Sequence, residues 1–126
     1  MRLSVSDYSP RSPAYLGDAV FELWVRDHAI RKIQNAELWH KYVTARVNGE
    51  FQCTLLDALD AHLTDEEKDL VRQGRNAPIS VGRRNNPHVH RRASGFETLI
   101  GHLHLRDPQR LAALLAVLHP LLDTES

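Results

Sequence analysis

Residues 14–22 read Ala-Tyr-Leu-Gly-Asp-Ala-Val-Phe-Glu, a stretch whose apolar side chains recur at the spacing of one helical face. Ser12-Pro13 precedes it and has the pattern of an N-cap followed by proline at the first helical position. We therefore predict a helix over residues 13–29. Gly17 lies in its first turns, where glycine is less favourable than alanine by about 1 kcal/mol. Its presence indicates that another backbone or a ligand approaches closely there.

Three carboxylates are candidates for chemistry. Asp18 and Glu22 are four residues apart and share a helical face. For Glu22 the sequence favours a simple ion pair with Arg26, whereas Asp18 stays open between a chemical role and a favourable interaction with the helix N-terminus. Glu97 is the first acid after a long basic segment, and its structural alternative is a capping box begun by Ser94.

The rest of the chain carries further helix signals and few strand signals. The predicted helices after the first cover residues 37–47, 50–62, 65–74 and 91–105, and a last one that follows Asp107-Pro108. The Thr64-Asp65-Glu66-Glu67 sequence predicts a capping box for the fourth helix. Residues 75–90 show no helical period and are predicted to form a loop. The sequence thus predicts one all-α domain over residues 1–126, with about six helices and one long basic loop.

Charge is unevenly distributed along the chain, although the net charge of the 126 residues is zero. No acidic residue occurs between Asp69 and Glu97, so that segment carries +6 and the remainder −6. Its six arginines are Arg72, Arg75, Arg83, Arg84, Arg91 and Arg92. A segment of this kind favours binding to a polyanion.

Composition argues against several other classes of protein. A single cysteine, Cys53, allows no disulfide within the chain, which suits the cytoplasm. The longest apolar run, residues 112–118, is too short to span a membrane. The pairs His88/His90 and His102/His104 are two residues apart, a spacing that does not place side chains on one helical face, so zinc binding is not expected.

Three motifs resemble the ribonuclease III family. Tyr15-Leu16-Gly17-Asp18-Ala19-Val20 is similar to the signature helix of the family. Gly74-Arg75-Asn76-Ala77 and Phe96-Glu97-Thr98-Leu99-Ile100-Gly101 are similar to segments of its mini-ribonuclease III branch, which lacks a double-stranded-RNA-binding domain. The resemblance spans residues 12–118, with the motifs in the order of the family.

The resemblance implies a helical endonuclease domain that forms a homodimer with one metal-dependent site per subunit. Asp18 and Glu97 correspond to metal-binding and catalytic acids, with Mg²⁺ as the cofactor and Mn²⁺ as a substitute. Larger family members have further acids where this chain has Ala14 and Ser94, and another acid that lies in the vicinity of Glu50. Magnesium commonly takes only one or two protein carboxylates, so two acids are a workable minimum.

Double-stranded RNA is the expected substrate, cut to leave 5′-phosphate and 3′-hydroxyl ends. The resemblance extends this to a precursor of the large-subunit (23S) ribosomal RNA, with a ribosomal protein as a further partner. Because duplex RNA is recognised mainly through shape and phosphates, the basic segment is predicted to bind it. The predicted RNA-binding residues are Arg72, Arg75, Asn76, Arg83, Arg84, His88, His90, Arg91 and Arg92.

Two other functions remain open from the sequence. The missing acids at Ala14 and Ser94 are compatible with a catalytically inactive module that binds RNA or ribosomes. The second alternative is a helical dimer that acts as a protein-interaction adaptor and has no affinity for duplex RNA.

Several apolar residues have structural expectations. Those expected in the core or a dimer interface are the aromatic residues Phe21, Trp24, Trp39 and Phe51. Cys53 is expected to pack as an inert side chain.

Overall fold

The computed structural model describes residues 9–77 and 86–123, and in these ranges it is built from helices alone. The predicted all-α fold is therefore confirmed. Six α-helices are present in the described ranges: α1 (Ser12–Lys32), α2 (Trp39–Val47), α3 (Gly49–Leu59), α4 (Asp65–Arg75), α5 (Pro87–Arg106) and α6 (Pro108–Leu118). Short 3₁₀ turns occupy Ala36–Leu38, Asp60–His62 and His119–Asp123. Within the described residues, no helix has the length and apolar character needed to cross a membrane.

Side-chain caps fix the start of several helices. The Asn48 side chain accepts a hydrogen bond of 2.8 Å from the backbone N–H of Phe51 at the start of α3. The predicted capping box of α4 is present, since Thr64 and Glu67 bond to each other's backbone N–H groups. Asp107 caps α6 through the N–H of Arg110 at 3.1 Å. Each cap satisfies N–H groups that a helix leaves unbonded in its first turn.

The predicted cap at Ser12 is wrong, and so is the alternative that assigned Ser94 and Glu97 to a capping box. Ser12 lies inside α1, and the capping position belongs to Arg11, which makes no side-chain cap bond. Ser94 cannot begin a capping box for Glu97, because both residues lie in the interior of the continuous helix α5. Glu97 therefore loses the structural alternative that the sequence offered for it.

The predicted loop over residues 75–90 is too long. Arg75 is the last residue of α4, and α5 begins at Pro87 rather than near residue 91. Asn86 precedes this proline with φ 62°, in the left-handed region that asparagine tolerates better than most residues. Pro87 then occupies the first turn of α5, where a missing N–H costs nothing. Residues 78–85 lie outside the described part of the chain.

The long helix α5 is the centre of the fold, with α1, α3 and α4 packed around it. Its residues from Gly95 to Gly101 are all buried. Phe96 meets Phe21 of α1 edge to face, with ring centroids 5.1 Å apart. Phe21 is fully buried, and the other predicted aromatic residues, Trp24, Trp39 and Phe51, are partly buried against the same core. Helix α5 thus carries both the core and, at Glu97, the candidate site.

Candidate active site

Helices α1 and α5 cross at two glycines with their backbones in direct contact. A Cβ atom added to Gly17 would lie 1.8 Å from the carbonyl oxygen of Glu97. A Cβ atom added to Gly101 would lie 1.8 Å from the carbonyl oxygen of Pro13. No side chain fits at either position. This confirms the close backbone approach that the sequence predicted at Gly17. The crossing places the Gly17 backbone against that of Glu97.

Two of the predicted acids lie on the helix turns that form this crossing. Asp18 follows Gly17 directly and is exposed, whereas Glu97 is 5% exposed. Helix α3 closes the other side of Glu97, where the amide nitrogen of Gln52 lies 3.5 Å from its Oε2 atom. The Asp18 carboxylate is therefore at the surface and the Glu97 carboxylate is buried. The two residues lie on turns of α1 and α5, whose backbones are in contact.

Two other acids, Glu22 and Glu50, lie on α1 and α3, and the positions without an acid, Ala14 and Ser94, lie on α1 and α5. Glu22 forms an ion pair of 2.7 Å with Arg26, as the sequence favoured. Glu50 is exposed in the first turn of α3, and Ala14 and Ser94 are partly buried. Among the described residues, no group of three or more His, Cys, Asp or Glu side chains is arranged to hold a metal ion. The predicted acids of the candidate site are therefore Asp18 and Glu97 alone, and carboxylate oxygens are ligands that hard divalent cations prefer.

A basic cleft lies where α4 ends and α5 begins. It has a volume of about 580 Å³, and its lining residues are Arg75, Asn76, Ala77, Pro87, His88, Arg91 and Arg92. Three guanidinium groups and the first turn of a helix line this cleft. Helix N-termini and arginine side chains both favour anions. Five of the predicted RNA-binding residues therefore come together in one concave surface.

The other predicted RNA-binding residues are arranged differently. Arg72 is exposed on α4 and pairs with Asp69 at 2.6 Å. His90 is half-buried in α5. Arg83 and Arg84 lie outside the described residues.

In the folded chain, two arginines of the basic segment are paired with acidic residues that lie outside the segment. Arg92 bonds to Asp57 of α3, and Asp69 neutralises Arg72 as described above. Asp57 is 35 residues away from Arg92 along the chain, so no local sequence pattern predicted this ion pair. Of the described arginines in the segment, Arg75 and Arg91 are those without an ion pair to an acid in the structure, and both line the cleft.

Gln52 is a residue near the site that the sequence interpretation missed. It lies on a face of α3 whose other buried residues are Cys53, Leu55, Leu56 and Leu59. A glutamine on such a face was a visible signal, because a buried amide needs a hydrogen-bond partner. Next to it, burial raises the pKa of the Cys53 thiol, whose Sγ atom contacts the carbonyl oxygen of Val89 at 3.6 Å. This agrees with the inert packing role expected for Cys53.

Comparison with known proteins gives consistent matches along the chain. A family model described as "Ribonuclease III domain" matches residues 12–108. The chain is 48% identical over 115 residues to the Mini-ribonuclease 3 of Synechocystis sp., covering 91% of this chain and 80% of that protein. It is 40% identical over 113 residues to the Mini-ribonuclease 3 of Gloeobacter violaceus, covering 90% and 84%. The crystal structure of the protein FN1578 from Fusobacterium nucleatum is similar, with a TM-score of 0.79 and 25% identity over 92% of this chain and 95% of that one.

Proposed function

The chain belongs to the ribonuclease III family, with mini-ribonuclease 3 relatives, and on this premise we propose that it cuts double-stranded RNA with a divalent metal ion held by Asp18 and Glu97. Endoribonuclease activity follows from the family itself. The residues and the metal are proposed from the family resemblance, and the geometry of the helix crossing supports the choice of residues. The observation that carries them is the Gly17–Gly101 crossing, because it sets the Asp18 turn against Glu97.

The two carboxylates would have different tasks. Glu97 is buried at the junction of α1, α3 and α5, so it would hold a cation at a defined depth. Asp18 is exposed and would meet the cation from the side that faces RNA. When bound, a Mg²⁺ or Mn²⁺ ion would supply Lewis-acid polarisation of the scissile phosphate and a water of lowered pKa. Hydrolysis of this kind leaves 5′-phosphate and 3′-hydroxyl ends, which we include in the proposal.

The basic cleft is proposed to hold the RNA backbone. Arg75 and Arg91 supply charge that is not paired with an acid among the described residues, and the exposed His88 also lines the cleft. Such contacts would fix the position and register of a duplex without reading its sequence. Arg83 and Arg84, which lie between α4 and α5 in the sequence, are proposed to bind RNA as well.

A homodimer is proposed from the exposed apolar face of α1. Tyr15 is 85% exposed, Leu23 67% and Ile30 56%. Their spacings are close to two helical turns, so the three side chains lie on one side of α1. Large apolar side chains exposed on one side of a helix are typical of an interface, and a second copy of the chain would add a second site for the other RNA strand.

We extend the proposal to a precursor of large-subunit ribosomal RNA, with a ribosomal protein assisting. The support for this extension is the family resemblance. Incubating the purified protein with such a precursor and mapping the new ends would test it. New 5′-phosphate ends within a paired region are expected, and a precursor that stays intact while a generic duplex is cut would contradict the extension.

Cleavage of an end-labelled RNA duplex tests the active site. With Mg²⁺, Asp18→Asn and Glu97→Gln should each lower the cleavage rate by at least about a hundredfold, since each removes a proposed metal ligand. Glu22→Gln is the matched control on α1, because Glu22 is paired with Arg26, and it should cut at the wild-type rate. Full activity in Asp18→Asn or Glu97→Gln would refute the two-carboxylate site.

An inactive RNA-binding module is the alternative function. The observation in its favour is that no cluster of three or more candidate ligands occurs among the described residues, with Ala14 and Ser94 at two of the positions concerned. It predicts that the wild-type protein binds the duplex but leaves it intact at any metal concentration. Cleavage by the wild type that is lost in Glu97→Gln would exclude it.

The salt dependence of RNA binding tests the cleft. Arg91→Ala should reduce the slope of log K against log salt by about 1, because one phosphate contact is lost. Arg106→Ala, an exposed arginine at the other end of α5, should leave the slope unchanged. Equal slopes for Arg91→Ala and wild type would remove the cleft from the RNA-binding surface.

A further inference from the structure

The burial of the polar residue Gln52 needs an explanation. It is 3% exposed on the face of α3 that packs against α5, among apolar side chains. A leucine would pack there without any hydrogen-bond requirement, whereas a buried amide is costly unless it is bonded. The feature that distinguishes Gln52 from its neighbours is thus its amide, and the structure shows where that amide is directed.

The partner of the amide is the carboxylate of Glu97. The Gln52 Nε2 atom donates to Glu97 Oε2 at 3.5 Å, and both residues are almost fully buried. Hydrogen bonding to the ionised form of a carboxylate favours that form, while burial opposes it. The bond also restricts the side-chain torsions of Glu97, which decide where its carboxylate points.

Helix α3 holds Gln52 firmly in place. On one side of it, Gly49 packs so closely that an added Cβ atom would lie 3.1 Å from Val89 Cγ1 on α5. On the other side, Asp57 is bonded to Arg92 of α5. Gln52 therefore lies between two points at which α3 contacts α5, and these contacts fix its backbone relative to the backbone of Glu97.

We propose that Gln52 is a positioning residue, which orients the buried Glu97 carboxylate toward the Asp18 turn so that both can hold one divalent cation. This inference rests on the proposed function. It assigns Gln52 no contact with RNA and no proton transfer. It follows the general behaviour of metal sites, in which partners of the ligands control ligand orientation and affinity.

The first test is Mn²⁺ binding by Gln52→Met, measured from the loss of the free-ion electron paramagnetic resonance signal. Methionine keeps the length of the side chain and removes the donor. Binding should weaken by about tenfold, the lower end of the loss caused by removing a ligand's partner. Gln109→Met, at an exposed glutamine of α6, is the matched control and should bind like the wild type. Wild-type affinity in a folded Gln52→Met variant would overturn the proposal.

A second test uses the wild-type protein, so it does not depend on a variant that folds. The side-chain amide signals of Gln52 and Gln109 would be followed by nuclear magnetic resonance during Mg²⁺ addition. The Gln52 signal should shift together with the backbone signal of Glu97, and the Gln109 signal should not. A Gln52 signal that stays still while the Glu97 signal moves would overturn the positioning role.

The two proposals fail in different ways. If Glu97→Gln binds Mn²⁺ like the wild type, the metal site itself is wrong. If Glu97→Gln loses Mn²⁺ while Gln52→Met retains it, the site stands and the role of Gln52 is wrong. Circular dichroism of each variant establishes that the helices are intact before binding is compared.

Discussion

At the scale of single residues, two glycines set the distance between the helices that carry the candidate site. Gly17 faces the carbonyl of Glu97, and Gly101 faces that of Pro13. In both cases the obstacle to a side chain is backbone, which cannot move aside as a flexible side chain can. The separation of α1 and α5 therefore depends on the absence of two Cβ atoms.

Gly17→Ala tests this dependence. Although alanine is the better helix former, its Cβ would overlap the Glu97 carbonyl, so the free energy of unfolding should fall by about 3 kcal/mol, at the upper end for overpacking. Gly49→Ala is the matched control, because its nearest neighbour is a Val89 methyl group at 3.1 Å, and its effect should stay within about 1 kcal/mol. Urea unfolding curves measure both, and equal stabilities would contradict the predicted contact.

The same scale shows what the sequence could and could not predict about the site. Asp18 and Glu97 were predicted as a pair because the glycines and motifs around them are local patterns. Asp57 and Gln52 were not, since their contacts with Arg92 and Glu97 join residues far apart in the chain. Spatial partners of this kind depend on how α3 lies against α5, which no local pattern specifies.

At the scale of helices, the ends were harder to predict than the helices themselves. Asn86-Pro87 has the composition of a turn, yet it begins α5, because proline suits a first helical turn as well as a loop. Ser12 was assigned as a cap, whereas α1 starts at Ser12 with no side-chain cap bond. The start of α4 was predicted correctly because Glu67 completes the capping box of Thr64, and Asp107-Pro108 correctly marked the start of the last helix.

Helix α4 has a junction with α6 whose stability should depend on pH. Arg110 donates to both oxygens of the buried Glu67, at 2.8 and 2.9 Å, and this bonding holds the pKa of Glu67 below its usual value. A carboxylate with a lowered pKa contributes stability above its unfolded pKa, and that stability is lost as the pH falls through the folded pKa.

Glu67→Gln should therefore be less stable than the wild type at pH 7, by about 1–3 kcal/mol. The difference should shrink as the pH falls below the usual pKa of a glutamate and through the lower pKa of folded Glu67, where the wild-type carboxylate takes up a proton. Urea unfolding at pH 7 and at several acidic values measures it. Glu66→Gln, at an exposed neighbour, is the control and should show little change at any pH. A difference that stays constant with pH would contradict the role of the ionised pair.

At the scale of the whole molecule, two surfaces of opposite character lie on different helices. The apolar side of α1 carries Tyr15, Leu23 and Ile30, and the basic cleft lies between α4 and α5. A protein with zero net charge thus places exposed apolar side chains on one surface and a cluster of arginines on another. The sequence predicted the basic surface from its run of arginines, whereas the apolar side of α1 required knowing which helical face the core leaves uncovered.

Tyr15→Asp tests the proposed dimer. The side chain is exposed in the single chain, so the fold should be unaffected, but a charge at a buried interface should weaken association by at least about thirtyfold. Leu38→Asp, at an exposed leucine outside α1, should leave association unchanged. Sedimentation velocity at micromolar concentrations measures both. A wild-type monomer, or an intact Tyr15→Asp dimer, would contradict the interface.

The contact between the α1 and α5 backbones has a consequence for heat inactivation. Many enzymes lose activity on warming before they melt, because a loop around the reaction centre loosens first. Here the two carboxylate-bearing turns cannot part unless the central helix pair of the protein parts as well. Cleavage activity and helical content should accordingly disappear at one temperature, with no inactive but still helical state in between.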